Sequence, residues 1–155
     1  MQFSPSAPTQ ILVIHGANLN LLGLREPDIY GSATFDELNA LLVEESKRMR
    51  CEIRIMQSNH EGVIIDAIHE ARTWANAIVI NPGGFSHTSI AIADALRAVR
   101  LPAIEVHLSN VHTRETFRHH SFISEAVTGV ILGLGTHSYV LALSAAKNLV
   151  DEGRF

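Results

Sequence analysis

Short apolar runs and longer amphipathic stretches take turns along the chain, which is the pattern of strands that alternate with helices. Five runs of four to eight residues predict strands at 11–14, 52–57, 77–80, 103–107 and 128–135. The intervening segments predict helices at about 34–50, 61–74, 88–99 and 138–150. Because single helices separate the strands, the strands should pair in parallel through right-handed crossovers. We therefore expect an α/β fold, a flavodoxin-like three-layer sandwich with a five-stranded parallel sheet in the order 2-1-3-4-5.

Composition narrows the class of protein. The chain has 155 residues, 46% of them hydrophobic and 18% charged, which suits one compact domain. Its net charge of −4 argues against a nucleic-acid surface, and its single cysteine excludes an internal disulfide and a cysteine-rich zinc site. No apolar run approaches the ~20 residues of a membrane span, and the first ten residues do not resemble a signal peptide. We expect a cytoplasmic protein with no nucleic-acid or membrane partner and with residues 1–9 as a flexible tail.

Two connections, 16–33 and 108 to about 126, are too long to be simple turns. In the first, two glycines flank Arg25 and Tyr30, an arrangement typical of a hinged lid. A phenol is a poor base at neutral pH, but a neighbouring guanidinium favours the phenolate. Tyr30, assisted by Arg25, could therefore remove a proton next to a carbonyl. The residues alone leave an equal alternative, in which Tyr30 caps a hydrophobic cluster and Arg25 is solvated.

The fourth predicted strand ends in Glu105-Val-His107-Leu108-Ser109. Residues two apart on a strand face the same side, so the Glu105 carboxylate can meet the His107 imidazole. Such a pair fixes the tautomer of the imidazole and favours its protonated form, as a general acid requires. The alternative is a strand-end histidine with a purely structural hydrogen bond. The peptide N–H groups of Leu108 and Ser109 can cradle a carboxylate where the chain leaves the strand.

Further polar residues follow the third strand and occupy the second long connection. Asn81-Pro-Gly-Gly-Phe-Ser-His87 supplies an amide, two glycines, a hydroxyl and an imidazole at a strand end, where α/β proteins hold ligands. Arg114 and Arg118 are four residues apart, so on a helical turn they would share one face. Two guanidiniums on one face favour an anionic, hydroxylated ligand.

Other chemistries are disfavoured. Three histidines follow the fourth strand, but no carboxylate or cysteine has matching metal-ligand spacing, and the adjacent arginines repel a cation. Gly133-Leu-Gly135 lacks the third glycine of a dinucleotide site, and there is no P-loop. Ser86 and His87 are neighbours, but the Gly-x-Ser-x-Gly elbow of a hydrolase is missing. We therefore expect neither a metal site nor a dinucleotide site.

Six motifs occur in order between about Ile11 and Leu149: His15-Gly-x-Asn18-Leu-Asn-Leu-Leu-Gly, Arg25-Glu-Pro-x-x-Tyr30-Gly, Gln57-Ser-Asn-His-Glu-Gly62, Asn81-Pro-Gly-Gly-Phe-x-His87-Thr-Ser, Glu105-Val-His107-Leu-Ser109-Asn and Arg114-Glu-x-Phe-Arg118-His-His-Ser. Together they resemble the type II 3-dehydroquinate dehydratase family. The resemblance implies a single catalytic domain over 1–155 that eliminates water from 3-dehydroquinate without a cofactor, giving 3-dehydroshikimate through an enolate. This reaction serves the shikimate pathway of aromatic amino acid biosynthesis and also quinate breakdown.

The resemblance also implies catalytic roles for five residues of this chain. Tyr30 would be the base, with Arg25 assisting its ionisation. His107 would be the acid that protonates the departing hydroxyl, with Glu105 orienting it. Asn18 would stabilise the oxygen of the enolate.

Binding roles and assembly follow from the same resemblance. The substrate carboxylate would be held by Asn81, Leu108 and Ser109, the ring hydroxyls by His87 and Arg118, and the lid by Arg114. Members of the family typically form trimers that assemble into a dodecamer, and Asp94 matches the aspartate that reaches a neighbouring subunit's site. Three positions outside the catalytic set depart from the family pattern: Ala17, Thr113 and Ser138.

Non-catalytic proteins share the predicted fold and provide the alternatives. A phosphoacceptor domain needs an acidic cluster after its first strand and an aspartate after its third, where this chain has His15 and Asn81. A flavin carrier would be yellow when purified. A catalytically silent relative is disfavoured because Tyr30, Arg25 and His107 are all present.

Overall fold

The computed structural model describes residues 7–154 and contains one parallel sheet. Its strands are β1 (Thr9–His15), β2 (Cys51–Gln57), β3 (Ala77–Asn81), β4 (Ala103–His107) and β5 (Gly129–Leu132). The α-helices are α1 (Pro27–Tyr30), α2 (Phe35–Arg48), α3 (Glu61–Ala71), α4 (Ile90–Val99) and α5 (His137–Glu152). The strands lie in the order β2-β1-β3-β4-β5, and each pairs in parallel with its neighbours. The predicted fold class and strand order are confirmed.

The sheet is covered on both faces, because successive strand residues point to opposite sides. In β1, Ile11 and Val13 face α2 and α5. Their neighbours Leu12 and Ile14 face α3 and α4. Near-continuous apolar runs are what a parallel sheet buried on both faces requires. No helix in the described part of the chain is long and apolar enough to cross a membrane.

Some boundaries differ from the predicted ones by a few residues. Thr9, which the sequence placed in the tail, is the first residue of β1 because it pairs with Cys51 of β2. The rest of the tail up to residue 6 lies outside the described residues. The fifth strand ends at Leu132, and not at residue 135, because Gly133 adopts a positive φ of 88° that turns the chain.

The carboxyl ends of four adjacent strands bring polar residues to one edge of the sheet. These strands end in Gln57, His15, Asn81 and His107. The connections from β1 and β3 leave in opposite directions, which creates the crevice where open α/β sheets bind ligands. The two connections touch, since a Cβ on Gly16 would lie 2.3 Å from the Pro82 carbonyl oxygen. Only glycine fits there, and the contact fixes the floor of the crevice.

Candidate active site

A cavity of about 140 Å³ lies at this edge of the sheet. It is bounded by the connections that follow β1, β3 and β4. All but two of the predicted site residues line it: Asn18, Arg25, Tyr30, Asn81, His87, His107, Leu108, Ser109, Arg114 and Arg118. The two that do not are Glu105, which lies behind His107, and Asp94. Segments far apart in the sequence thus converge on one small space.

Tyr30 lies between two guanidinium groups. It is the last residue of α1, a single helical turn that begins at Pro27. Arg114 donates from Nη1 to the phenol oxygen at 2.9 Å, and Arg25 donates from Nη2 at 3.4 Å. Both guanidinium carbons are about 5 Å from the centre of the ring, at 5.0 Å for Arg25 and 5.1 Å for Arg114. Two cationic donors therefore meet the oxygen on which the charge of a phenolate would reside.

His107 is backed by a buried carboxylate. Its Nε2 lies 2.7 Å from Oε1 of Glu105, and Glu105 has no exposed surface. The Ser121 hydroxyl donates to Oε1 at 2.7 Å, and the Ser124 hydroxyl donates to Oε2. Burial alone would raise the pKa of Glu105, but the hydrogen bonds from His107, Ser124 and Ser121 outweigh it and hold that pKa below its ordinary value. The ionised carboxylate accepts from Nε2 and leaves Nδ1 of His107 for a ligand.

Asn18 is held at the mouth of the cavity in a left-handed conformation, with a φ of 68°. Asparagine tolerates this conformation better than most residues. The Asn18 backbone N–H donates to Oδ1 of Asn59 at 2.9 Å, and Gln57 donates to the same oxygen at 3.1 Å. Gln57 also donates to the Gly16 carbonyl at 3.3 Å. No role was predicted for Gln57 and Asn59 from the sequence, although polar residues at the carboxyl end of a strand, here β2, indicate a binding site.

His87 and Arg118 complete the polar lining. Nδ1 of His87 lies 2.8 Å from the His120 carbonyl, which only accepts, so Nδ1 carries a hydrogen, and in the neutral ring Nε2 is the acceptor. Arg118 is held from behind by Glu115, whose carboxylate accepts from Nε at 2.9 Å. The cavity therefore offers a hydrogen-bond acceptor and a cation side by side, a combination that suits hydroxyl groups on a ligand.

Arg114 and Arg118, whose spacing would place them on one face of a helical turn, do not share such a turn. Val111–Thr113 and Thr116–Arg118 are separate 3₁₀ turns, and the backbone between them is extended at Arg114. Asn110 caps the start of the first turn by accepting from the backbone of His112, and the backbone N–H of Arg114 closes the turn on the Val111 carbonyl. Both guanidiniums still reach the cavity, but Arg114 does so from an extended segment that directs it to Tyr30.

Among residues 7–154, no group of three or more His, Cys, Asp or Glu side chains is arranged to hold a metal ion. The lining of the cavity in this part of the chain includes no lysine, so it offers no amine for a Schiff base. The expectation of a reaction without metal or cofactor stays a prediction.

Comparison with known proteins decides the family. The family model described as Dehydroquinase class II matches residues 9–147. This chain belongs to the class II dehydroquinase family. It is 57% identical to a 3-dehydroquinate dehydratase of Gloeothece citriformis over 135 residues, which cover 87% of this chain and 89% of the relative. It is 53% identical to "Catabolic 3-dehydroquinase 2" of Aspergillus flavus, covering 90% and 94% of the two chains.

Solved structures agree with the class II dehydroquinase assignment. The crystal structure of the type II dehydroquinase from Propionibacterium acnes superposes with a TM-score of 0.87 at 46% sequence identity. The match covers 92% of this chain and 99% of that chain. The resemblance drawn from the six sequence motifs is thereby confirmed.

The departures from the class II dehydroquinase pattern are accommodated locally. Ala17 lines the cavity. The Thr113 hydroxyl donates to the Asn110 carbonyl at 2.9 Å. Ser138 is fully buried, and its hydroxyl accepts from the Leu134 backbone at 3.0 Å. Within the described residues, none of these three side chains leaves a buried polar atom without a hydrogen-bond partner.

Asp94 lies away from the cavity of its own subunit. It is exposed on α4 and forms an ion pair with Arg97 at 3.3 Å. This placement is what a residue that serves a neighbouring subunit requires, and that role stays a prediction.

Proposed function

We propose that this protein catalyses the elimination of water from 3-dehydroquinate, giving 3-dehydroshikimate through an enolate. The observation that carries the proposal is the convergence of Tyr30 and His107 on one cavity. Tyr30 is flanked by two guanidiniums, as a base that works as a phenolate requires. His107 is backed by a buried carboxylate, as an acid that works as an imidazolium requires.

The proposed reaction has two steps. The Tyr30 phenolate takes a proton from C2, and the electrons of the broken C–H bond form an enolate on the C3 carbonyl oxygen. Asn18, at the mouth of the cavity, stabilises that oxygen. The enolate then collapses to a C1–C2 double bond and expels the C1 hydroxyl, which leaves as water after it receives a proton from Nδ1 of His107.

The lining suits the charge and the hydroxyl groups of 3-dehydroquinate. Asn81, Leu108 and Ser109 lie together where β3 and β4 end, and would bind the carboxylate. The acceptor nitrogen of His87 and the cation of Arg118 would bind ring hydroxyls. With the carboxylate held at the strand ends, C1 and C2 would lie between the acid and the base.

An absorbance experiment tests the proposal. The product conjugates its new double bond with the C3 carbonyl and the carboxylate, so it absorbs ultraviolet light that the substrate transmits. We expect absorbance to rise when 3-dehydroquinate is mixed with chelator-treated protein. The rise should be equal for protein that was first incubated with 3-dehydroquinate and borohydride together and then freed of both, a treatment that would inactivate an enzyme with a lysine Schiff base. The Tyr30→Phe variant is the matched control and should give a trace close to baseline. A flat trace from the folded wild-type protein would contradict the proposal and favour a catalytically silent family member.

The assembly and the location of the protein belong to the proposal as well. We expect trimers that associate into a dodecamer, with Asp94 completing a neighbour's site, and a cytoplasmic enzyme. The exposure of Asp94 on α4 supports the first expectation. Specific activity should then decline on dilution below the range in which the trimer dissociates. Unchanged activity in a demonstrated monomer would contradict a shared site.

A further inference from the structure

Two side-chain amides at the carboxyl end of β2 hold the connection that carries Asn18, although neither of them lines the cavity. Oδ1 of Asn59 accepts from the Asn18 backbone N–H at 2.9 Å and from Nε2 of Gln57 at 3.1 Å. Nε2 of Gln57 also donates to the Gly16 carbonyl at 3.3 Å. The two amides therefore contact the backbone that follows β1 from the side of β2. The class II reaction as proposed uses neither of them.

The orientation of both amides follows from backbone groups whose roles are fixed. The Asn18 backbone N–H can only donate, so the oxygen of Asn59 faces it. That oxygen can only accept, so the nitrogen of Gln57 faces Asn59. The Gly16 carbonyl can only accept as well, and it requires the same orientation of Gln57 independently. Turning either amide over would place two donors or two acceptors against each other in two contacts.

Asn18 needs support because its backbone is left-handed, with a φ of 68° and a ψ of 0°. A residue other than glycine keeps this conformation only where its surroundings hold it there. From the side of β3, the Gly16 N–H is bonded to the Asn81 carbonyl at 2.7 Å. The Asn18 carbonyl accepts from the Leu21 N–H at 3.0 Å. The Asn18 N–H is held by Asn59, 41 positions away in the sequence.

The consequence of this conformation falls on the Asn18 side chain, which lines the cavity. Asparagine before a helical turn usually has an extended backbone, and its side chain accepts from the N–H groups of the turn. Asn18 precedes the 3₁₀ turn Leu19–Leu21 but is left-handed, and its side chain makes no such bond. The amide is therefore available to a ligand. Relaxation to an extended backbone would favour the usual cap and withdraw the amide from the cavity.

We propose that Asn59 and Gln57 are positioning residues that keep Asn18 left-handed, with its amide directed at the enolate oxygen. This inference rests on the proposed function, because it assumes that Asn18 stabilises that oxygen. Neither positioning residue touches the substrate. The oxygen is negatively charged in the enolate and neutral in 3-dehydroquinate, so a loss of positioning should lower kcat and leave KM nearly unchanged.

A pair of substitutions at Asn59 tests the proposal. Asn59→Leu removes the acceptor and keeps the approximate size of the side chain, and Asn59 is exposed, so the fold should survive. We expect kcat for 3-dehydroquinate to fall about tenfold with KM within about twofold, less than the 10²- to 10³-fold loss that follows removal of an oxyanion donor itself. Asn59→Asp keeps an oxygen for both donors and should retain kcat within about twofold of the wild type.

Asn76 provides the matched control at the opposite end of β1. Its Oδ1 accepts from the Gln10 backbone N–H at 2.8 Å, and the residue is exposed, as Asn59 is. Asn76→Leu therefore removes the same kind of contact far from the cavity. It should lower thermal stability as Asn59→Leu does and leave kcat unchanged. Equal losses of kcat in the two variants would show that activity follows stability, and would overturn the positioning role.

A double variant tests whether the effect passes through Asn18. Glycine adopts the left-handed conformation without strain, so Asn18→Gly removes the amide and keeps the backbone. This variant should lower kcat by about 10²-fold, as the loss of a donor to the enolate oxygen. Adding Asn59→Leu should then lower kcat by less than about twofold, because no amide is left to position.

Gln57 acts one contact further from the substrate and should have a smaller effect. Gln57→Met keeps the length of the side chain and removes its donors, while Asn59 still accepts from the Asn18 N–H. We expect kcat to fall about threefold, as for the loss of a single neutral hydrogen bond, and no further loss when Gln57→Met is added to Asn59→Leu. An unchanged kcat would overturn the role of Gln57.

The outcomes separate this inference from the proposed function. If the folded wild-type protein does not turn over 3-dehydroquinate, the proposed function fails before the variants are compared. If the wild type is active, an unchanged kcat in Asn59→Leu or in Asn18→Gly overturns the positioning role and leaves Tyr30 and His107 unaffected. A rise in KM without a fall in kcat, or equal losses from Asn59→Leu with and without the Asn18 amide, would overturn it as well.

Discussion

Two buried histidines of this class II dehydroquinase stand at the ends of β1 and β4, two strands separated by β3, and point to opposite faces of the sheet. His15, at the end of β1, is fully buried between α2 and α5, and its partners are the neutral side chains of Asn39 and Tyr139. His107, at the end of β4, lines the cavity and is paired with the carboxylate of Glu105. The two side chains have the same chemistry, but their surroundings prepare them for different tasks.

The difference shows how local partners decide which proton a histidine carries. Burial among neutral groups disfavours the charged ring, so His15 is suited to orienting its neighbours. His107 instead lies against the buried carboxylate of Glu105, which orients its ring for the transfer of a proton. The role of a histidine at a strand end therefore depends on the group that contacts its ring.

Removing the imidazole of His107 should have the largest effect. In His107→Ala the leaving hydroxyl has no acid, and kcat should fall by about 10²- to 10⁴-fold, the usual range for general acid–base catalysis. Steady-state kinetics with 3-dehydroquinate would measure it. His69, an exposed histidine of α3, provides the control, because His69→Ala should retain wild-type kcat. A loss below about fivefold in His107→Ala would point to water or another group as the acid.

His15 should make the fold sensitive to mild acid. Its pKa falls from 6.5 in the unfolded chain to about 4 in the folded protein, so between these values the unfolded chain binds more protons. The contribution of His15 to the free energy of unfolding is fully present above about pH 6.5. It declines as the pH falls toward 4 and changes no further below that pH. At 1.36 kcal/mol per pKa unit, the total loss is about 3 kcal/mol.

Denaturant unfolding between pH 7 and pH 4 measures this effect. His15→Gln should flatten the decline, because glutamine does not titrate. The carboxylate of Glu105 affects stability in a lower pH range. Its pKa is depressed in the folded protein, so its contribution to the free energy of unfolding is lost only as the pH falls through that pKa. If wild type and His15→Gln lost stability in parallel over this interval, the neutral state assigned to His15 would be wrong.

Removing only the charge behind His107 should have a smaller effect. Glu105→Gln keeps the shape of the side chain but loses an ionic hydrogen-bond acceptor. A hydrogen bond to a charged group is worth about 1.5–3 kcal/mol, so kcat should fall by about ten- to a hundredfold. Unchanged kcat at every pH would show that Glu105 does not act through His107.

The smallest effect is expected from the hydroxyl that supports the carboxylate. Ser121→Ala removes the donor 2.7 Å from Oε1 of Glu105, while Ser124 still donates to the other oxygen. A single hydrogen bond contributes about 0.5–1.5 kcal/mol, so kcat should decline by about two- to tenfold. The effect should vanish in the Glu105→Gln background. Equal losses in both backgrounds would place Ser121 outside this network.

The sequence predicted the sheet well because the signals are local. Each strand is a short apolar run, and single helices between the strands leave few topologies. The pairing of Glu105 with His107 was predictable too, because residues two apart on a strand share a face. The positions of the reactive residues at the strand ends were predictable as well, because these residues directly follow the apolar runs.

The remaining contacts depend on packing between distant segments, which local patterns do not encode. Tyr139 meets His15 across 124 positions, and Arg114 meets Tyr30 across 84. The spacing of Arg114 and Arg118 fits one helical turn, but the two residues belong to separate 3₁₀ segments, and the Arg114 guanidinium reaches Tyr30 from an extended backbone. No role was predicted for the two serines behind Glu105, although Ser121 is the last residue of the sixth motif.

Hydrogen exchange at C2 of the substrate tests the central claim most directly. Each variant is incubated with 3-dehydroquinate in D₂O, and deuterium in the recovered substrate is measured by mass spectrometry against an enzyme-free sample. His107→Ala retains Tyr30 and should exchange C2 hydrogen without eliminating water, since the enolate forms and is reprotonated. Tyr30→Phe should exchange no faster than the enzyme-free sample. Equal exchange by the two variants, or none by folded His107→Ala, would contradict Tyr30 as the base and His107 as the acid.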